Sequence, residues 1–308
     1  MRYLVTGGAG FIGSHLVEAL SNSGDVIIID DLSTGKIVNV EPVLGKGSVE
    51  LHRVDIRNLN SIKHLFRGVD LVFHLAALAD VPSSVLDPVL TNDINVNGTL
   101  NVLVASRDQG IGKIVYSSSS AVYGDAEVPV REEVVVDPKS PYAVSKLAGE
   151  YYCNVFQELY GLKAVSLRYF NVYGPRQNPA SQYGAVIPDF TSRLLRGERP
   201  VIYGDGSQTR DFVYVADVVR ANMAAAMDDA VGIYNIASGR PTTVDALFKA
   251  IREKTGSDLG VVYREERRGD IRHSYAGVEK ARIAFGWVPE ITLNRGLKKT
   301  VRWFMGRP

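Results

Sequence analysis

Apolar positions along the first half of the chain follow two alternating periods. Runs that are apolar almost throughout, RYLVT at 2–6, VIIID at 26–30, VELHRV at 49–54, DLVFHLA at 70–76, KIVYS at 113–117 and LKAVSLRYF at 162–170, read as strands buried on both faces. Between them, stretches from about Phe11 to Ser23, Leu59 to Arg67, Val85 to Ser106 and Pro141 to Tyr160 carry apolar residues at helical spacing. Strands alternating with amphipathic helices predict an α/β fold, a doubly wound parallel sheet with helices on both faces. After Asn171 the rhythm breaks. Turn-rich NVYGPRQNPASQYG and IYGDGSQTRD bracket one helix, and shorter elements follow, which predicts a smaller C-terminal α/β region. The division falls at 1–171 and 172–308, with no hydrophilic linker to mark it and nothing to stop the chain crossing back.

Composition changes this picture only by exclusion. The 308 residues, 45% hydrophobic and 22% charged, suit an ordinary globular chain able to bury a core. A net charge of +1 argues against nucleic acid or an anionic membrane surface as the main partner. The single cysteine, Cys153, cannot close an intrachain disulfide, and its setting in YYCNVF reads as a buried helical thiol in a reducing cytoplasm. No apolar run approaches membrane-spanning length, and MRYLVTGGAGFIG reads as a strand and glycine turn rather than an export signal. The five histidines are scattered without ligand spacing, so no metal site is expected, and His74 inside its apolar strand reads as a core residue.

TGGAGFIGSHL follows the first strand and opens the first helix. Gly7 and Gly10 allow a tight turn and the close approach of a pyrophosphate to helix N–H groups, and Gly13 lets the helix pack on the sheet. The second strand ends in Asp30 and Asp31, where an acid can bind the ribose hydroxyls of an adenosine. This is the pattern of a Rossmann-type dinucleotide site. An acidic strand end repels a 2′-phosphate, which favours NAD over NADP, and Lys36 is the nearby cation.

Two further stretches carry candidate chemistry. KIVYSSSSAVYG places four serines at a strand end, where open parallel sheets put their sites. In DPKSPYAVSKLAGEYY, Ser140 can cap a helix and Pro141 suits its first position, so Tyr142 lies in the first turn with Lys146 on the same face. The positive helix end and the ammonium should both pull the phenol below its usual pKa of about 10 and make it a general base.

TGGAGFIG, the acidic second strand, the serine-rich strand end and YAVSK together resemble the extended short-chain dehydrogenase/reductase superfamily. Within it the chain looks most like the UDP-galactose 4-epimerases, with NVNGT, SSSSAVYG, RYFNVYGP, GSQTRDFVYVAD and RRGD in the expected order. The resemblance implies an isomerase that holds NAD and interconverts UDP-galactose and UDP-glucose through a transient 4-keto sugar. Counted back from Val122-Tyr123-Gly124, the active hydroxyl falls on Ser119. Tyr142 takes the 4-hydroxyl proton, directly or through Ser119, and Lys146 holds the nicotinamide ribose. Related 4,6-dehydratases carry Asp and Glu at the two positions after that serine, and here these are Ser120 and Ala121, so the keto sugar is not diverted.

By the same resemblance, Asp55 and Ile56 flank the adenine, while Phe11, Ile12, Leu75, Ala76, Ala77, Asn95, Ser117 and Tyr169 lie along the cofactor. Asn171, Val201, Tyr203, Arg210 and Arg267 are implied for the nucleotide and its diphosphate. Ala185 stands where better-known epimerases have Asn, which leaves other nucleotide sugars open. Ser274 falls at the position lining the sugar's 2-substituent and is small enough to admit an acetamido group, unless a register shift puts Tyr275 there. Members of the family pair through helices like those at 85–106 and 141–160, which implies a homodimer. A net oxidoreductase on a nucleotide sugar and a non-catalytic NAD-sensing protein remain as alternative readings.

Overall fold

The computed structural model describes residues 1–45, 49–178, 185–266 and 271–306. The expected strands of the first half are β1 (Arg2–Thr6), β2 (Asp25–Ile29), β3 (Val49–His52), β4 (Leu71–His74), β5 (Lys113–Ser119) and β6 (Lys163–Tyr169). The chain then leaves their sheet for β7 (Asn171–Tyr173), β8 (Val201–Tyr203) and β9 (Thr209–Tyr214), and returns with β10 (Gly232–Ile236), which pairs with β6. Among the described residues the sheet runs β10-β6-β5-β4-β1-β2-β3, every pair parallel. The winding reverses between β1 and β4, and a crevice opens beyond the carboxyl ends of strands at such a point. Outside this sheet, β9 pairs with β7, with β11 (Pro241–Thr243) and with β13 (His273–Ser274), while β8 pairs with β12 (Val262–Arg264).

The helices are α1 (Phe11–Leu20), α2 (Leu59–Ile62), α3 (Val81–Leu86), α4 (Pro88–Asn92), α5 (Gly98–Asp108), α6 (Pro141–Tyr160), α7 (Val186–Leu195), α8 (Val215–Met227), α9 (Val244–Thr255), α10 (Glu279–Phe285) and α11 (Leu293–Met305). α1 and α8 cover one face of the sheet, where Val5, Leu16, Val17, Ile28, Val115 and Val218 are buried together. α5 and α6 cover the other, where Leu4, Ile27, Ile29, Val72, Val102, Tyr116 and Phe156 meet. From Val26 to Ile29 successive residues of β2 therefore point to opposite cores, which is why the strand is apolar at each of these positions. Each fully buried aliphatic side chain contributes roughly 1.5–3 kcal/mol, so coverage of both faces fixes these strands more firmly than local propensity. A third core between α7, α9 and α11 gathers Ile187, Phe190, Leu247, Phe248 and Leu297.

The helix expected across 85–106 is broken. Pro88 has no amide to donate and disfavours helical geometry in the residue before it, and Asp87 accordingly adopts φ −135°, ψ 80°. Its side chain accepts from Leu90 N at 2.9 Å and caps a new helix. From Pro88 the helix runs through a wider, i→i+5 bonded segment at Asp93–Asn97 into α5. α3 is a separate turn, capped by Asp80 through Ser83 N at 2.8 Å.

Candidate active site

Past Thr6 the chain turns sharply at Gly7, whose φ is +69°. A Cβ there would stand 2.7 to 2.9 Å from backbone atoms of Leu75 and Ala76, and one at Gly13 would stand 2.2 Å from the Gly7 carbonyl. At Gly10 a Cβ would meet only that carbonyl, at 3.1 Å, and otherwise project into the cleft. α1 starts without a side-chain cap and with no acid in its first turn. Its first N–H groups, which have no intrahelical acceptor, are thus presented to an anion. These features open a cleft of about 640 Å³ at the reversal point of the sheet. Gly7, Gly10, Phe11, Ile12, Gly13, Asp30, Asp31, Asp55, Ile56, Leu75, Ala76, Ala77, Ser117, Ser119, Tyr142, Lys146 and Tyr169 all line it.

The acids at one end of the cleft are held before any ligand arrives. Asp30 accepts Ala9 N on Oδ2 and Leu32 N on Oδ1, both at 2.9 Å, so it also ties the glycine turn to the loop after β2. Burial pushes its carboxyl above the ordinary range. Asp31 Oδ1 accepts from Ser33 N and Oγ at 2.9 and 2.6 Å. The Arg57 fork, 2.9 and 2.6 Å from Asp55 Oδ2, holds that carboxyl below its usual value. Together, a turn whose glycines put no Cβ into the cleft, helix N–H groups without intrahelical acceptors and paired acids fit the pyrophosphate and ribose hydroxyls of a dinucleotide.

Where β5 ends, its serines divide. Alternation along the strand turns Ser118 into the interior, 2% exposed, and leaves Ser117 and Ser119 partly open at the cleft. Ser119 Oγ accepts Ala121 N at 3.2 Å and stands beside the Tyr142 phenol. α6 begins as expected, with Pro141 in its first turn and Ser140 Oγ accepting Ala143 N at 3.2 Å, while Tyr142 N donates to Ser84 Oγ at 3.1 Å. Lys146 Nζ donates to the Ser117 carbonyl at 2.7 Å, and burial pulls its pKa down to about 8. The expected lowering of the phenol pKa is not met. Burial pushes Tyr142 above its ordinary value, and the Ser119 hydroxyl beside it only opposes this. Here desolvation outweighs the helix end.

Asn95 does not line the cleft. It stands behind the wall, accepting Leu78 N at 2.7 Å and donating to Leu78 O at 3.1 Å and Ser145 Oγ at 2.9 Å, so it positions the stretch that leads into α3. His74 is the core residue expected. Its nitrogens meet Thr6 Oγ1 at 2.6 Å and Thr99 Oγ1 at 2.9 Å, and burial drives its pKa down to about 3.

Of the other residues expected on the substrate side, Asn171, Val201, Tyr203, Arg210 and Ser274 lie beyond the cleft lining. β13 lies beside β9 in a register that makes Ser274 the partner of Arg210, 64 positions away in sequence. Arg210 Nη1 donates to Thr209 O at 2.9 Å. In the β8–β12 pair, Val262 N donates to Pro200 O and Gly204 N to Arg264 O, at 2.8 and 2.9 Å. A parallel ladder built on those bonds turns the backbone of Val201 and Tyr203 to the edge away from β12, where Tyr203 O accepts Gln208 Nε2 at 2.7 Å. Asn171 is exposed at the start of β7, and Arg267 lies outside the described residues. Sequence reading missed the stretch from Leu78 to Pro82 that leads into α3, and also Arg176 and Gln177, all at the cleft. The signal was within reach, since Arg176 and Gln177 directly follow RYFNVYGP, but only the structure shows the left-handed turn at Arg176, φ +67°, that brings them in.

A twisted parallel sheet with a glycine turn at its reversal point and a Ser, Tyr and Lys cluster beside it defines a dinucleotide-dependent enzyme acting through a hydroxyl. The chain belongs to the NAD dependent epimerase/dehydratase family, whose sequence profile matches residues 3–237, as its resemblance to the extended short-chain dehydrogenases implied. The expected Rossmann-type fold and NAD cofactor hold at this level. The chain is 44% identical over 304 residues to a putative UDP-glucose 4-epimerase of Methanocaldococcus jannaschii, covering 97% of each. Among solved structures it is similar to the UDP-N-acetylglucosamine 4-epimerase of Methanobrevibacter ruminantium in complex with UDP-N-acetylmuramic acid, at TM-score 0.96 and 43% identity, covering 99% and 98% of the two chains. It is also similar to the UDP-glucose 4-epimerase of Thermotoga maritima with UDP-glucose, at TM-score 0.94 and 42% identity, covering 99% of both.

Proposed function

We propose that the protein is a nucleotide-sugar 4-epimerase that interconverts UDP-galactose and UDP-glucose through a transient 4-keto sugar, and that it also turns over the N-acetylated pair. The observation that carries this reading is Ser119, Tyr142 and Lys146 lining one dinucleotide cleft that has no carboxylate at positions 120 and 121. Elimination of water from the keto sugar needs an acid and a base there, related decarboxylases use a carboxylate there, and Ser120 and Ala121 supply none of these. NAD bound in the cleft would supply reversible hydride exchange with C4 of the sugar. Tyr142 takes the 4-hydroxyl proton, directly or across Ser119 Oγ, and returns it when the alcohol re-forms. Lys146, an ammonium below a pH of about 8, favours the phenolate by its charge and carries no proton itself. Leu78, Ala79, Asp80 and the start of α3 wall the cleft, and Gln177, whose buried Oε1 finds no donor among the described residues, offers a further group to a sugar hydroxyl.

On this reading residues 1–171 hold mainly NAD and 172–308 mainly the UDP-sugar, with Asn171, Val201, Tyr203, Arg210 and Arg267 on the nucleotide and diphosphate and Ser274 at the 2-substituent. The Arg210–Ser274 register and the small side chain of Ser274 support this. Exposed Val89 on α4 and exposed Tyr151, Val155 and Leu159 on α6 support a homodimer. The buried Cys153 supports a cytoplasmic setting, and no helix among the described residues is long and apolar enough to cross a membrane. Recovery of the protein outside the cytoplasmic fraction would count against that setting. The test of activity is product analysis: purified protein converts UDP-galactose to UDP-glucose with no added cofactor and no free NADH. Stoichiometric NADH with oxidised sugar as the sole product would establish the net oxidoreductase instead.

A further inference from the structure

Arg168 and Glu150 form a salt bridge in which the side chains are 3% and 1% exposed, the most deeply buried pair among the described residues. Such a pair is a poor source of stability, because desolvating both charges offsets most of their attraction. Its geometry suggests another use. Arg168 Nε and Nη2 donate to Glu150 Oε1 and Oε2 at 2.8 and 2.7 Å, a planar fork that leaves little rotational freedom. Glu150 Oε1 also accepts the Ser118 hydroxyl at 2.5 Å. Ser118 and Arg168 are register partners on neighbouring strands, so one carboxylate from α6 closes over the ends of both β5 and β6.

The same arginine reaches the far side of Ser119. Its guanidinium lies 4.6 Å from the centre of the Tyr123 ring, in the turn that follows the serine run. The Tyr123 hydroxyl in turn donates to Asn235 Oδ1 at 2.6 Å. Ser119 is thus bracketed, by Ser118 before it and by the 120–123 turn after it, and both brackets end on one ion pair. α6 carries Tyr142, Lys146 and Glu150 at four-residue spacing, hence on one face. Gly149 removes any slack between that face and β5, since a Cβ there would stand 2.2 Å from Tyr116 Oη.

We propose that Glu150 and Arg168 are positioning residues, which set the Ser119 hydroxyl against Tyr142 by locking the end of β5 to α6. The inference rests on Ser119 and Tyr142 being the acid-base pair. A double-mutant cycle tests it on the NAD-loaded protein, with kcat and KM for UDP-galactose as the readout. Glu150→Gln and the milder Ser118→Ala should each lower kcat by about 10-fold or more, the scale of a misplaced reacting group. KM should stay within about two-fold and bound NAD should be unchanged. In a Ser119→Ala background, where there is no hydroxyl left to position, the same changes should cost less than about three-fold.

A loss of equal size in both backgrounds would show a merely structural role and overturn the proposal, as would folded, NAD-loaded variants with parental kcat. Should Glu150→Gln fail to fold, Ser118→Ala gives the same cycle, because it removes one hydroxyl and leaves the ion pair intact. Failure of the underlying reading is distinguishable: Ser119→Ala by itself would then leave kcat unchanged.

Discussion

Of four consecutive serines, three face different partners: Ser117 lends its carbonyl to Lys146, Ser118 its hydroxyl to Glu150, and Ser119 stands with its hydroxyl beside Tyr142. Tyr142→Phe should therefore lower turnover by about 100-fold or more, the usual scale for a positioned base. Ser119→Ala should cost more than Ser120→Ala, and kinetics showing the reverse order would mean the register is wrong by one. Charge state adds a second expectation. Lys146 titrates at about 8, so its ammonium is present below that pH and lost as pH rises through it. Turnover should show an alkaline limb there, and Lys146→Met should be slow at every pH without that limb. A profile flat from about pH 7 to 10, a range spanning the free and buried lysine values, would mean that the charge does not act on Tyr142. The serine register and the Tyr–Lys spacing were legible in the sequence because they follow strand and helix periods. The direction of the Tyr142 shift was not, because burial by distant elements decides it.

At the level of elements, periodicity located the parallel strands and α6, and it failed where one residue overrode it. Pro88 broke a helix that the apolar pattern ran straight through, and the break leaves α3 a separate helix whose first residues, Val81 and Pro82, wall the cleft with Leu78, Ala79 and Asp80. The C-terminal strands were out of reach for a different reason. β8, β11, β12 and β13 are two or three residues long, too short for any period to register, and they are defined by partners far away in the chain. The pairing of β13 with β9 makes Ser274 a neighbour of Arg210, and this is the basis of a prediction on breadth. The parent should interconvert UDP-N-acetylglucosamine and UDP-N-acetylgalactosamine, and Ser274→Tyr should suppress this while sparing UDP-galactose. Assays in which the parent epimerises UDP-galactose but leaves the N-acetylated pair untouched would remove Ser274 from the sugar pocket.

For the whole molecule, two cores lie on the two faces of one sheet and another lies among α7, α9 and α11, while residues of α8, β10 and α10 return to the first of them and β10 pairs with β6. The exposed apolar residues of α4 and α6, Val89, Tyr151, Val155 and Leu159, lie outside these cores. In solution they should pair two copies, so sedimentation should give a dimer, and Val155→Asp should shift it toward monomer; a parent that is monomeric at micromolar concentration would contradict this. On the proposed mechanism the hydrogen at C4 leaves the sugar and comes back to its other face without meeting water. The decisive measurement is mass and NMR analysis of the UDP-glucose formed in ordinary water from UDP-galactose labelled with deuterium at C4. The label should stay at C4 of the product. UDP-glucose carrying a solvent proton at C4 would contradict the mechanism.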